Sequence, residues 1–183
     1  MLTPNQQLIS AASRKTHGSA GIFHVNLSLT GDPAVECRSG ASGHTLFLTF
    51  MNDLTGGSAS VTEGAATIAG NPTYTGKTMT VNLSGVDDAQ TIAVALNNVT
   101  DSFGQTLPTT SVRMRLLLGD TTGNNVVNAS DVGQTKANVG ALVDQATFRT
   151  DVTVNGSINS SDIGTVKAAS GGGALPSRNG KPL

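Results

Sequence analysis

The sequence predicts a mainly β fold: an immunoglobulin-like sandwich over residues 21–118, followed by a small α-helical module over residues 119–171. Three observations lead there. Residues 21–118 contain short runs in which apolar and polar residues alternate, the period of a strand with one buried face. The same stretch is rich in Thr, Ser, Gly, Val and Leu, with Gly, Asn, Asp and Pro between the runs and almost no charged, helix-favouring segments. Beyond residue 118 the chain repeats itself, with ten of twenty-one positions identical between 120–140 and 151–171 at an offset of 31 residues.

Residues 1–20 are polar with a few alanines and read as a flexible N-terminal segment. The first strand is expected at 22–29, with Phe23, Val25, Leu27 and Leu29 on one face. The second is expected at 44–50, with Leu46, Leu48 and Phe50 on one face. Runs at 58–62, 65–69, 78–83, 91–96 and 111–118 bring the set to seven. Short strands at regular spacing suggest two packed sheets, and a small barrel fits nearly as well. Val112, Met114, Leu116 and Leu118 run straight into Gly119 and Asp120, so the last strand and the repeat are expected to be rigidly joined. Residues 172–183 are Gly-rich, basic and proline-containing, and read as a flexible tail.

The identities in the repeat fall where a cation loop needs oxygen. Counted from the leading aspartates, position 1 is Asp120 or Asp151, position 3 Thr122 or Thr153, and position 5 Asn124 or Asn155. Position 9 is Asn128 or Asn159, and position 12 is Asp131 or Asp162. A hard cation such as Ca²⁺ takes oxygens from positions 1, 3, 5, 7 through a carbonyl, 9 through water, and an acid at 12 of such a loop. Residues 120–171 hold five acids and no glutamate, and only Asp144 lies outside positions 1 and 12. Merely solvated turns and helix faces would scatter their acids and include glutamate.

A helix is expected after each loop, with Asn128 or Ser130 and Asn159 or Ser160 available as caps. Val127, Val132 and Val139, with Ile158, Ile163 and Val166, supply apolar stripes, and Leu142, Val143 and Phe148 are available to cover both helices. Mid-helix glycine is unfavourable by about 1 kcal/mol relative to alanine. The matched Gly133 and Gly164 therefore suggest close packing, either between the helices or against a partner.

These residues resemble the duplicated loop-helix calcium module called dockerin, type I in style, over about 118–171. The resemblance implies two Ca²⁺ sites. The implied ligands are Asp120, Thr122, Asn124, the Val126 carbonyl and Asp131, then Asp151, Thr153, Asn155, the Ser157 carbonyl and Asp162. Asn128 and Asn159 would act through water or shape the loop. It also implies a docking surface for a cohesin-like protein or an intramolecular neighbour domain, mapped to Ser130, Ser160 and Ser161 with the repeated Lys136 and Lys167. Threonine at position 3 and asparagine at position 5 leave two carboxylates per site, so affinity is expected in the roughly 10⁻⁵ to 10⁻³ M range. Asn125 takes the tight turn at position 6 in the first loop, and Gly156 takes it in the second, which is expected to be the better formed.

Composition narrows the function classes. A net charge of −1, no basic stripe and six aromatic residues argue against nucleic-acid binding. The absence of Trp and the single Tyr74 argue against a stacking platform for sugars. No run approaches the roughly 18 apolar residues of a membrane span. The first twelve residues lack the basic start and apolar core of a signal peptide. Weak calcium loops suit a millimolar-calcium exterior, so an extracellular or cell-surface location is expected, with the chain as the end of a longer secreted protein. The lone Cys37 has no partner for an internal disulfide and reads as a partly buried thiol.

The leading reading is an exported calcium-binding structural or docking protein. The alternative is a calcium-dependent hydrolase of small esters or lactones. It would draw on His17, His24 or His44 with Asp53, Asp87, Asp88 or Asp101, although no GxSxG or HExxH motif is present.

Overall fold

Alternating burial along the chain sorts ten strands into two sheets among the described residues. A computed structural model describes residues 5–171; residues 1–4 and the expected tail 172–183 lie outside them. The first sheet holds β1 (Leu8–His17), β2 (Gly21–Leu27), β4 (His44–Phe50), β6 (Thr67–Ile68), β7 (Thr73–Thr75) and β8 (Thr78–Ser84). Its order is β2-β1-β4-β8-β6, with β7 also paired to β8. The second sheet holds β3 (Val35–Glu36), β5 (Leu54–Glu63), β9 (Gln90–Asp101) and β10 (Thr110–Leu116), in the order β3-β10-β9-β5. All pairings are antiparallel except that of β3 with β10. No strand pairs with both sheets, so the two-sheet sandwich replaces the barrel alternative.

The sandwich closes because inward residues of both sheets meet. Leu46, Leu48, Phe50, Met79, Val81 and Leu83 from the first sheet pack against Ile92, Val94, Leu96, Val112, Met114 and Leu116 from the second, all buried. Each such side chain contributes roughly 1.5–3 kcal/mol on burial. Leu29 lies beyond the end of β2 and is exposed, so the expected first strand is shorter than its alternation suggests.

The expected flexible segment 1–20 needs correction, because half of it, Leu8–His17, is β1, paired on one side with β2 and on the other with β4. Its inward face reads Ala11, Ser13, Lys15, His17, all buried, so the alternation is real but mostly polar. The short β3 and β7 also lie outside the expected set.

That polar face fills one end of the sandwich interior. Arg38 forms a two-pronged pair with Glu36, Nε to Oε1 at 2.8 Å and Nη2 to Oε2 at 2.6 Å, with both side chains wholly buried. Arg38 also donates to the carbonyls of Phe23 and Ser13. Lys15 donates to the Gly43 carbonyl at 2.6 Å, and burial lowers its pKa to about 8. Burial alone would raise the Glu36 carboxyl, but Arg38 outweighs it and holds the group near about 2.

Burial also lowers the His44 ring from 6.5 to about 4, with Lys15 and Arg38 adding to the effect and Glu36 and Asp88 opposing it. The unfolded chain takes up this proton near pH 6.5 and the folded chain only near pH 4, so stability falls with acid across that window. The Glu36 contribution is intact above 4.5 and is lost as pH falls toward 2. Urea unfolding from pH 7 down to pH 3 should therefore show two declines, and His44→Gln should shrink the upper one only, the rest coming from His24, whose pKa burial also lowers. An unchanged upper decline would assign it to other groups.

Two helices follow the sandwich, α1 (Ala129–Ala137) and α2 (Ser160–Ala169), with a 3₁₀ turn at Phe148–Thr150 between them. They lie against each other, and Val132 and Val166 carry them onto the sandwich at Val35 and Leu117. Val127, Val152 and Val166 pack on Val35 and Leu117, while Val143, Phe148 and Ile158 pack on Val25 and Phe23. Val143 and Phe148 thus cover the sandwich and not only the helices, and Leu142 and Val139 face outward. No helix among the described residues is long and apolar enough to cross a membrane.

Candidate metal centre

Each loop wraps its backbone around two buried carboxylates. In the first, Asp120 Oδ1 accepts from the N–H groups of Gly123 and Asn124 at 2.8 and 3.0 Å, and Oδ2 from Asn125 at 2.7 Å. Asp131 Oδ1 accepts from Thr122 N and Oγ1, both at 2.9 Å, and Oδ2 from Asn128 N at 2.9 Å. The second loop repeats the scheme. Asp151 accepts from Asn155 and Gly156 N–H at 3.1 and 2.9 Å, and Asp162 from Thr153 N and Oγ1 at 3.1 and 2.8 Å and from Asn159 N at 2.9 Å. The position 5 side chain accepts from position 7, Asn124 from Val126 N at 3.0 Å and Asn155 from Ser157 N at 2.8 Å, with both asparagines exposed.

The helices start from the same atoms. Asn128 and Asn159 are the N-caps, accepting from Ser130 N and Ser161 N, while Asp131 and Asp162 close the capping boxes. Position 9 therefore shapes the loop, and position 12 serves helix and loop together.

Backbone conformation ties the two copies together in a way that position 6 alone does not show. Positions 4 and 6 are left-handed in both loops: Gly123 and Asn125 in the first, Val154 and Gly156 in the second. Each loop thus has one glycine for two such positions. A branched residue at positive φ is an outlier that costs of order 1–3 kcal/mol. Glycine gives back roughly 0.5–1 kcal/mol of that in lost chain entropy. Val154→Gly should therefore stabilise the chain by about 1 kcal/mol in urea unfolding; destabilisation would mean that the Val154 side chain outweighs its backbone strain.

All four aspartates have no exposed surface. Among the described residues the ion pairs of lysine and arginine are Glu36–Arg38 and Glu63–Arg113, so none of the four aspartate carboxylates is paired with either, and Arg149 reaches Asp120 only at its carbonyl. Burying ionised carboxylates without counter-charge is unfavourable even when they are hydrogen-bonded. The oxygens from Asp, Thr and Asn suit a hard cation. No three His, Cys, Asp or Glu side chains converge among the described residues, so any cation here must draw on threonine, asparagine and carbonyl oxygens beside two carboxylates.

No family model matches the chain, and no curated protein or solved structure matches it either.

The surroundings add Arg149, which the sequence did not single out, and place His17 and Cys37 beside the loops. Arg149 bridges the first loop to the sandwich, donating to the carbonyls of Thr121, Asp120 and Val35 at 2.9, 3.0 and 3.1 Å. It has no counterpart in the other copy, where Leu118 stands, so comparison of the repeats gives no signal for it. His17 Nδ1 lies 2.9 Å from Asp151 Oδ2. Cys37, wholly buried, donates from Sγ to the Arg149 carbonyl at 3.5 Å, and burial pushes its thiol up to about 12, which removes it as a nucleophile.

A histidine paired with an acid is what the hydrolase alternative needs. His17 and Asp151, however, have no exposed side-chain surface, and the other ring nitrogen faces Arg38 Nη1 at 3.1 Å. Asp88 and Asp101 bind loop backbone, at Leu118 N and at the N–H groups of Phe103 and Gln105. His24 stands against Phe47, 5.4 Å between ring centres.

The residues mapped to docking, Ser130, Lys136, Ser160, Ser161 and Lys167, are all exposed. A Cβ added at Gly133 or Gly164 would meet nothing within 4 Å, so neither glycine serves packing between the helices.

Proposed function

We propose that the chain is an exported, calcium-binding structural or docking protein, in which a dockerin-like pair of EF-hand-like loops braces an immunoglobulin-like sandwich. The observation that carries the reading is the matched pairing of buried carboxylates. Asp120 with Asp131 and Asp151 with Asp162 are held in both copies by the backbone N–H groups of loop positions 6 and 9, and among the described residues none of the four carboxylates is ion-paired with a lysine or arginine. Ca²⁺ supplies the missing charge and completes each oxygen shell. Asp120, Thr122, Asn124, the Val126 carbonyl and Asp131 would hold one ion, and Asp151, Thr153, Asn155, the Ser157 carbonyl and Asp162 the other. Two carboxylates per ion make both sites weak and suit an extracellular or cell-surface setting.

Exposed Ser130, Lys136, Ser160, Ser161 and Lys167 then form the face offered to a cohesin-like partner, with Gly133 and Gly164 leaving the helix surface open. An intramolecular neighbour domain is the alternative partner, and the packing of Val35, Phe23 and Val25 of the sandwich against the loop module supports that alternative.

Thermal melts with calcium and with EDTA test the structural role. Ligand present at a hundredfold excess over its Kd adds about 2.7 kcal/mol per site. That is a shift of roughly 5–10 °C for a chain of this size. Identical melts would refute bound structural calcium.

A further inference from the structure

We infer that His17, on the sandwich strand β1, is a positioning residue for the cation of the second loop, so that the sandwich sets the affinity of that site and not of the first. The inference rests on the calcium reading above. Within the first loop, three backbone N–H groups hold the Asp120 side chain, those of Gly123, Asn124 and Asn125. In the second, Asn155 and Gly156 hold Asp151, and the third bond comes from His17 Nδ1 at 2.9 Å.

The ring is fixed from behind. Arg38 Nη1 is a donor only, so His17 Nε2 at 3.1 Å accepts and Nδ1 carries the proton that goes to Asp151 Oδ2. Arg38 is itself fixed by both oxygens of Glu36. The edge of the His17 ring also stands against Phe23 and Phe148, at 5.2 and 6.1 Å between centres. Glu36, Arg38, His17 and Asp151 thus form one buried line from the sandwich interior to position 1 of the loop.

Backbone contact reinforces that line. Gly18 N donates to the Val154 carbonyl at 3.1 Å, and a Cβ on Gly156 would fall 2.8 Å from the His17 carbonyl. The first loop has no equivalent, because Arg149 touches the carbonyls of Asp120 and Thr121 and not the Asp120 carboxylate. Partners that orient a metal ligand from behind typically change affinity 10–100-fold when removed.

The test titrates CaCl₂ into the full chain by calorimetry in two backgrounds, Asp131→Asn to leave the second loop and Asp162→Asn to leave the first. His17→Gln keeps an acceptor for Arg38 but places no N–H toward Asp151. It should weaken the second loop about 10–100-fold and leave the first unchanged. His17→Asn puts its amide N–H where Nδ1–H stood and should restore most of the loss. An unchanged second loop in His17→Gln, an equal fall in both loops, or His17→Asn no better than His17→Gln would overturn the inference while calcium binding itself stands. No calcium uptake by the unsubstituted chain would instead overturn the calcium reading, and the inference with it.

Discussion

Arg38→Met is expected to destabilise the folded chain by about 3–5 kcal/mol, the largest effect of any single substitution considered. Arg38 is almost fully enclosed and serves four groups at once: the Glu36 carboxylate, the carbonyls of Phe23 and Ser13, and the His17 ring. Methionine fills much of the volume but leaves Glu36 as a buried charge, with Lys15 a remaining cation that feels its field. The penalty comes from the charge left behind and not from the intrinsic worth of the pair, because replacing a buried pair by packed apolar residues is often close to neutral. The double change Arg38→Met with Glu36→Leu should therefore recover most of the loss in urea unfolding. A double variant as unstable as the single one would show that the carbonyl and His17 contacts carry the energy instead.

Removing calcium is expected to turn Cys37 from an inert thiol into a reactive one. Cys37 lies at the seam, its carbonyl accepting from Gly119 N at 2.9 Å and its Sγ facing the Arg149 carbonyl. The next residues are tied in as well, with Ser39 N donating to the Val152 carbonyl at 2.7 Å. With both loops loaded, labelling must wait for the seam to open. Each ion at a hundredfold excess over its Kd makes opening about a hundredfold rarer, equivalent to about 2.7 kcal/mol. Chelation should thus speed labelling by a disulfide reagent by about a hundredfold or more, with far-UV circular dichroism still reporting the sandwich strands. Equal rates with calcium and with chelator would show that the seam does not depend on the loops.

The legible parts of the fold are those whose inward face is apolar. Sequence alternation at Leu46, Leu48 and Phe50 places β4 at its observed bounds, and the same reasoning places β8 and β10 within two residues. β1 stayed hidden because its inward residues are Ser13, Lys15 and His17, buried by partners up to 134 residues away that no local pattern announces. The loop aspartates were legible because duplication repeats them. Arg149 and His17 were not, since each serves one loop only and breaks the repeat. Val154 shows the same limit: a left-handed valine is legible only if position 4 is known to turn, and the first loop, with Gly123 there, was the clue.

Counting calcium ions on the intact chain tests the central claim most directly. Equilibrium dialysis against millimolar calcium should find two ions on the unsubstituted chain, one on Asp131→Asn, one on Asp162→Asn and none on the double variant. No uptake by the unsubstituted chain, or uptake that survives both substitutions, would contradict the account.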